Sequence, residues 1–272
     1  PAAWHHGWTR EDFDELAGAV AAGHVIECGT QATGGNYSFF KEVPGMERIG
    51  FPWAEVAEDG ETVFGMHDNV GGEVSVGTIT SQLLYEIGGP QYYGPDVTTR
   101  FDTIELEQVG KNRVRLHGAK GEAPPETLKV CINRAGGFRN DLSVCLAGLD
   151  IEEKADLIQR AFWKAIPFSE EDFDQVKIRL MRNDHVDPES NEEAVAVLKI
   201  SVKDHDPKKV GRAMSSAIGD LALATIPGFF GFGGPSKARA FGIYQPACIP
   251  SMYVDQEVVI LGGETRTLSS VI

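Results

Sequence analysis

Cysteine is scarce in this 272-residue chain, and the four residues present (Cys28, Cys131, Cys145, Cys248) form no CxxC pair and are spread too widely for a disulfide framework. Three of them, Cys131, Cys145 and Cys248, lie in apolar, strand-like surroundings and are expected as reduced core residues, which makes the cytoplasm the default compartment. Positive charge is also short: 25 Lys and Arg against 40 Asp and Glu leave a net charge of −15. That balance excludes nucleic acid as an expected partner, because phosphate binding needs clustered cations. The one weak basic group, Lys208, Lys209 and Arg212, sits beside an expected helix start and reads as a solvated face. No long apolar run exists; the longest, Leu221 to Phe232, is broken by Pro227 and glycines, so no membrane span is expected. The opening residues, PAAWHHGW, do not resemble a signal peptide. The seven histidines show no HExxH or HxH spacing, and no metal site is expected. Neither a GxxxxGK[ST] loop nor a GxGxxG fingerprint occurs, which removes nucleotide sites of those types.

What is present is ordinary globular composition, 42% hydrophobic and 24% charged, enough for one large domain or two modest ones. The first helix is expected over about Thr9–Ala22, with Thr9 and Asp12 as a capping box and Phe13, Leu16, Ala17 and Val20 on one face. A strand at His24–Cys28 follows, then strands near Ile49–Glu58 and Thr62–Met66 and a helix at Thr78–Ile87. Alternation at Ile104/Leu106 and Val114/Leu116 around Gly110-Lys111-Asn112 predicts a hairpin, and a strand at Leu128–Asn133 comes next. After Gly136-Gly137 the order reads strand (Phe138–Ala147), helix (Ile151–Ala165, capped by Asp150), strands near Asp174–Met181 and Ala194–Lys203, a helix from Asp206-Pro207, and strands near Phe241–Ile249 and Gln256–Leu261. The expectation is an α/β part over residues 1–136, followed by an α+β, ferredoxin-like βαββαβ unit over 137–272.

The segment Gly23 to Asn36, GHVIECGTQATGGN, carries the strongest site signal. Read as a strand end opening into a glycine loop, it places Glu27 and Cys28 where backbone amides approach a ligand closely. Two readings stand for Glu27: a general acid or base, or a carboxylate that holds the turn. Cys28 is a candidate nucleophile with no histidine fixed beside it by sequence. Gly29, Gln31, Thr33, Gly34, Gly35 and Asn36 are candidates for binding a carboxylate or thioester carbonyl, and local turn bonding is the competing reading. Glu55, after another apolar run, could pair with Glu27 to move protons on and off carbon. Gly71 and Gly72 precede a helix bearing Gln82, Tyr85 and Glu86, where free amides would favour an anion. His24 could approach Glu27, and Lys129 is expected to face solvent. The loop Gly228–Gly242, with Phe229, Phe230 and Phe232, reads either as a lid or as a packing contact.

Several phrases together resemble one family: HVIECGTQATGGNY, IGFPWAEVAEDG, GGEVSVGTITSQLLYEIGGPQYYGPDV, NRVRLHGAKGEAPPETLKV and ALATIPGF are similar to the acyclic terpene utilisation AtuA-like family over essentially the whole chain. The resemblance implies two differences: members of that family usually carry a large additional segment ahead of the part that resembles His6-Gly7-Trp8, which this chain is expected to lack, and many carry, or are encoded beside, a small ferredoxin-fold domain that is expected to be missing here. The resemblance implies catabolism of branched or terpenoid acids as coenzyme A thioesters, with coenzyme A as part of the substrate. It sets the expectation of a lyase, hydratase or isomerase, or of a non-catalytic subunit completed by a second polypeptide or by a homo-oligomer.

Overall fold

Alanine-rich sequence opens the fold: a short helix α1 (Ala2–His6) precedes α2, which runs from Phe13 to Glu27 without a break. The computed structural model describes residues 1–224, 226–231, 233, 236–255, 257–260 and 264–267. Within these the chain is a mixed α/β protein, and every strand pair with a defined register is antiparallel. It divides into two compact units, Pro1–Val130 with Cys248–Ile272, and Cys131–Ala247.

The first unit continues with β1 (Pro52–Val56), β2 (Thr62–Met66), α3 (Val76–Leu83), β3 (Gln91–Tyr93), β4 (Thr98–Arg100), β5 (Glu105–Gly110), β6 (Arg113–His117) and β7 (Lys120–Glu122). A four-stranded sheet has the order β1-β2-β6-β5, and β3-β4-β7 form a smaller one. Strand alternation puts Ala54, Phe64, Val114 and Leu116 on one face of the larger sheet, where Ala21, Ala22 and Val25 of α2 and Ile79 and Leu83 of α3 cover them. The opposite face is charged: Arg113 bonds Glu55 at 3.1 Å, and Arg115 lies between Glu61 and Glu107. Such exposed pairs contribute about 0–1 kcal/mol each, so the apolar face carries the stability.

The expected strand at His24–Cys28 is instead the last turns of α2 and its cap. The β-branched pair Val25-Ile26 favours a strand locally, but Ala17, Ala21, Ala22 and Val25 form one continuous buried stripe that keeps the helix going to Glu27. Asp12 accepts from the Thr9 amide at 2.5 Å and its hydroxyl at 2.9 Å, so the expected capping pair forms while the helix starts at Phe13. The helix expected at Thr78–Ile87 begins two residues earlier, through reciprocal Ser75–Thr78 capping, and ends at Leu83.

The chain continues through β8 (Thr127–Ala147), α4 (Ile151–Ala165), β9 (Gln175–Met181), β10 (Val195–Asp204), α5 (Met214–Ala224), β11 (Phe229–Phe230) and β12 (Arg239–Pro250), and their residues from Cys131 to Ala247 make the second unit. The sheet order is β11-β8-β10-β9, with β12 also on β8. Leu146, Leu198, Ile200, Ile158 and Phe162 make the core between the sheet and the two helices. The two strands expected on either side of Gly136-Gly137 are one strand, because the Phe241 ring covers Gly136 so closely that a Cβ there would lie 2.4 Å from it. Helix α4 has the expected bounds, but Asp150 sits at φ 59 and its side chain makes no capping bond. Cys145 is buried, whereas Cys131 and Cys248 are exposed, contrary to the core positions expected of them; all four cysteines are free. A final pair, β13 (Glu257–Ile260) and β14 (Glu264–Thr267), forms a two-stranded ladder. Gln256 and Leu261, the ends of the last expected strand, and Phe232 of the expected lid fall outside the described residues. No helix among the described residues is long and apolar enough to cross a membrane.

Candidate functional site

Because α2 is a helix up to Glu27, the loop that carries the candidate residues opens from a helix C-terminus. Glu27 is exposed and Cys28 half-buried, at the end where backbone carbonyls point outward. This is the reverse of the helix N-terminus that stabilises thiolates in reactive cysteines. A 3₁₀ turn, Gly29–Gln31, follows, and the next amides close on their own loop. The N–H groups of Gly34 and Asn36 donate to the Gln31 carbonyl at 3.3 and 3.2 Å, and that of Gly35 to the Thr30 carbonyl at 3.1 Å. The Thr33 hydroxyl donates to the Gly50 carbonyl at 2.6 Å. The amides of Gly34, Gly35 and Asn36 are thus taken within the loop, while the Thr33 and Asn36 side chains reach carbonyls outside it.

The second glycine motif packs directly on the first. Gly72, at φ 108, lies so close to Thr33 that a Cβ would sit 2.9 Å from the Thr33 carbonyl oxygen, and the next amide, Glu73, donates to that same oxygen at 2.9 Å. The Gly71 and Gly72 amides donate to the Arg48 and Pro44 carbonyls at 2.8 and 2.7 Å, which leaves them no free proton for an anion. Glu55 is not brought to Glu27. It pairs with Arg113 on the charged face of the sheet, while α2 packs on the apolar face, so the sheet stands between the two carboxylates. His24 packs its ring 5.6 Å from Phe101 and 6.1 Å from Tyr92, and Lys129 lies 5.3 Å over the Tyr92 ring.

One side chain of the loop does reach the C-terminal end of α3. Asn36 Nδ2 donates to the Ser81 carbonyl at 3.1 Å, which ties the loop to that helix. Gln31 Oε1 is buried without a hydrogen-bond partner, and Gln82 is fully buried with both amide atoms unpartnered. The charge of Glu86, then its hydrogen bond, push the Tyr85 phenol above its ordinary value; burial, Cys28 and Glu27 act in the same direction. Glu86 has φ 61, a left-handed conformation that glycine normally takes after a helix. Glu86→Gly is therefore expected to raise stability by about 1 kcal/mol in urea unfolding, since strain of that order is stored there. No gain would mean that the Tyr85–Glu86 contact outweighs the strain.

The structure also shows a cleft that no motif in the sequence marks. It has a volume of about 570 Å³ and is lined by Trp53, His67, Asp68, Lys111, Asn112 and Arg113. The Arg113 guanidinium lies 5.0 Å over the Trp53 ring, and Asn112 Oδ1 accepts from the Val74 amide at 3.1 Å. These residues meet only through the β1-β2-β6 pairing, and no spacing rule in the sequence links positions 53, 67 and 111. Among the described residues no group of three His, Cys, Asp or Glu side chains is arranged to hold a metal.

No curated protein and no solved structure matches the chain. The model of the family described as "Acyclic terpene utilisation family protein AtuA" does match it, over residues 1–260. With nearly the whole length covered, the chain belongs to the acyclic terpene utilisation AtuA family.

Proposed function

We infer that this protein is an enzyme, or an enzyme subunit, of branched-chain or terpenoid acid catabolism that acts on an acyl-CoA or its free acid by a lyase, hydratase or isomerase reaction. The family supplies the metabolic setting. The observation that carries the reading is that Glu27 and Glu86 both act on the Tyr85 phenol where Asn36 ties the loop to α3, with unpartnered buried amides, Gln31 and Gln82, on that same loop and helix. Buried amides without partners are rare in folded proteins and favour a ligand or water that completes them. In an isomerase step Glu27 takes a proton from the γ-carbon of an unsaturated thioester. The electron pair moves toward the thioester carbonyl, whose oxygen the Asn36 amide holds, and a proton returns at the α-carbon from Glu27 or Tyr85. The strand order of the second unit, with β12 on β8 and then β10 and β9, further supports reading it as a ferredoxin-like unit.

The test is deuterium exchange into 3-methylcrotonyl-CoA in heavy water, followed by mass spectrometry. Glu27→Gln is expected to slow exchange by about 10²–10⁴-fold, the usual contribution of a general acid or base. Its thermal midpoint should stay unchanged because Glu27 is exposed. Equal exchange in that variant would sink the assignment. A second reading, a non-catalytic subunit, draws support from Phe39, Phe51 and Leu84, which are 61%, 64% and 68% exposed. It requires stable co-purification with a second chain and no exchange by the isolated protein.

A further inference from the structure

The sheet of the second unit has a face that neither α4 nor α5 covers. Alternation sends Leu142, Val144 and Leu146 of β8 and Leu198, Ile200 and Val202 of β10 into the helix-covered core, and the residues between them to the other side. On that open side the registers set up successive rows. Val197 lies between Cys145 and Met181, Lys199 between Ser143 and Arg179, Ser201 between Asp141 and Lys177, and Lys203 between Arg139 and Gln175. The first row is apolar. The next three hold Arg139, Lys177, Arg179, Lys199 and Lys203 against a single acid on a chain of net charge −15. That acid, Asp141, is held by the Ser201 hydroxyl at 2.6 Å and the Lys199 ammonium at 3.2 Å. Edge strands often carry lysine or arginine to block pairing, which would explain Lys177 and Arg179 on β9. It does not explain Lys199 and Lys203 on the central strand β10, or Arg139 on β8.

The apolar end of the same face opens into a cleft of about 610 Å³ whose apolar lining is Ala147, Val195, Val197, Gly228 and Phe230, joined by the polar side chains of Asn183, Asn191 and Glu192. Phe230 stands opposite Cys145 in the ladder. Cys145 is 0% exposed, and burial pushes its thiol up, so it adds a small neutral side chain beneath this end.

We propose that this face binds an amphiphilic anion, with an apolar chain in the cleft by Val197 and Phe230 and a phosphorylated head group laid along the rows of Lys199, Arg179, Lys177, Lys203 and Arg139. Successive rows are about 7 Å apart, and Val197 and Lys203 are about 20 Å apart along β10, at roughly 3.3 Å per residue. A free carboxylate at the end of the chain reaches only Lys199 and Arg179. A head with several phosphates reaches all five cations, so an acyl-CoA is the ligand that uses the whole surface. The identification of the chain as acyl rests on the acyl-CoA reading above; the face itself does not. Aromatic rings stand only at the two ends of these rows, Phe230 at the cleft and Phe241 5.1 Å from the Lys203 ammonium, and the net charge of −15 over the whole chain disfavours RNA.

Isothermal titration of the full chain with decanoyl-CoA tests this, with coenzyme A, decanoate and a single-stranded oligonucleotide as companions. Decanoyl-CoA is expected to bind most tightly, and increasingly so at low salt. Lys177→Ala/Arg179→Ala, at two exposed edge-strand positions, is expected to weaken it tenfold or more with an unchanged circular dichroism spectrum. Val197→Asp should reduce its affinity to that of coenzyme A alone. The proposal is overturned if decanoyl-CoA does not bind, if its affinity is unchanged in the double variant, if decanoate binds equally well, or if the oligonucleotide binds more tightly. Failure of the proton-transfer reading looks different: Glu27→Gln then exchanges normally, while the double variant still loses decanoyl-CoA.

Discussion

Gly71→Ala should destabilise the first unit by about 3 kcal/mol or more, at the upper end of what overpacking a tight site costs. A Cβ on Gly71 would lie 1.7 Å from the Gly45 carbonyl oxygen and 3.0 Å from the Gly45 Cα, and both of those are backbone atoms that no rotamer change can move. The contact cannot be relieved locally, because the Gly71 amide bonds Arg48 and its carbonyl accepts from the Gly50 amide at 2.9 Å. Urea unfolding compares this variant with Gly88→Ala, where nothing lies within 4 Å and a change within about 1 kcal/mol, most of it from the unfolded chain, is expected. The result bears on function as well as folding. If Gly71→Ala unfolds without any ligand present, the glycine pair is needed for close packing of backbone on backbone. If the variant is as stable as the parent but loses substrate, the pair approaches the ligand instead, and the packing account is wrong.

How much the sequence disclosed depended on whether the deciding contacts were local. Helix α4 could be read because Ala155, Ile158 and Phe162 recur at helical spacing and all three end up buried. Strand β2 and the β5–β6 hairpin were legible for the same kind of reason, an alternation bounded by a turn at Lys111-Asn112. The end of α2 was not, since Val25-Ile26 prefers a strand and only packing of the helix on Phe64, Val114 and Leu116 reverses that preference. Gly136-Gly137 looked like a break because the ring that protects it, Phe241, is over a hundred residues away. At the candidate site the glycine loop was found with two readings left open, because sequence does not show that carbonyls of Thr30 and Gln31 take its amides or that Arg48 and Pro44 take those of Gly71 and Gly72. The basic rows on β8, β9 and β10 went unseen because each strand contributes only one or two cations. The concentration exists only in the register, within a chain that is acidic overall.

Gln82→Met is expected to raise stability by about 2 kcal/mol, because each buried polar group left without a partner costs roughly 1–3 kcal/mol and methionine fills nearly the same volume. Gln82 is 0% exposed, stands beside Ile79 and Leu83 on α3, and has neither amide atom hydrogen-bonded. An apolar residue would serve the core better, so the glutamine has to be explained by something other than folding. If its amide completes the site between the ends of α2 and α3, Gln82→Met should unfold at higher temperature and show no deuterium exchange into 3-methylcrotonyl-CoA. The opposite pattern, lower stability with exchange intact, would mean that an ordered water satisfies the amide and that Gln82 belongs to the scaffold. Gain in stability with exchange intact would remove Gln82 from the site and leave Glu27, Tyr85 and Asn36 to carry it. Thermal unfolding and exchange measured on the same preparation separate the three, since a gain of 2 kcal/mol moves the midpoint by about 4–8 °C in a chain of this size.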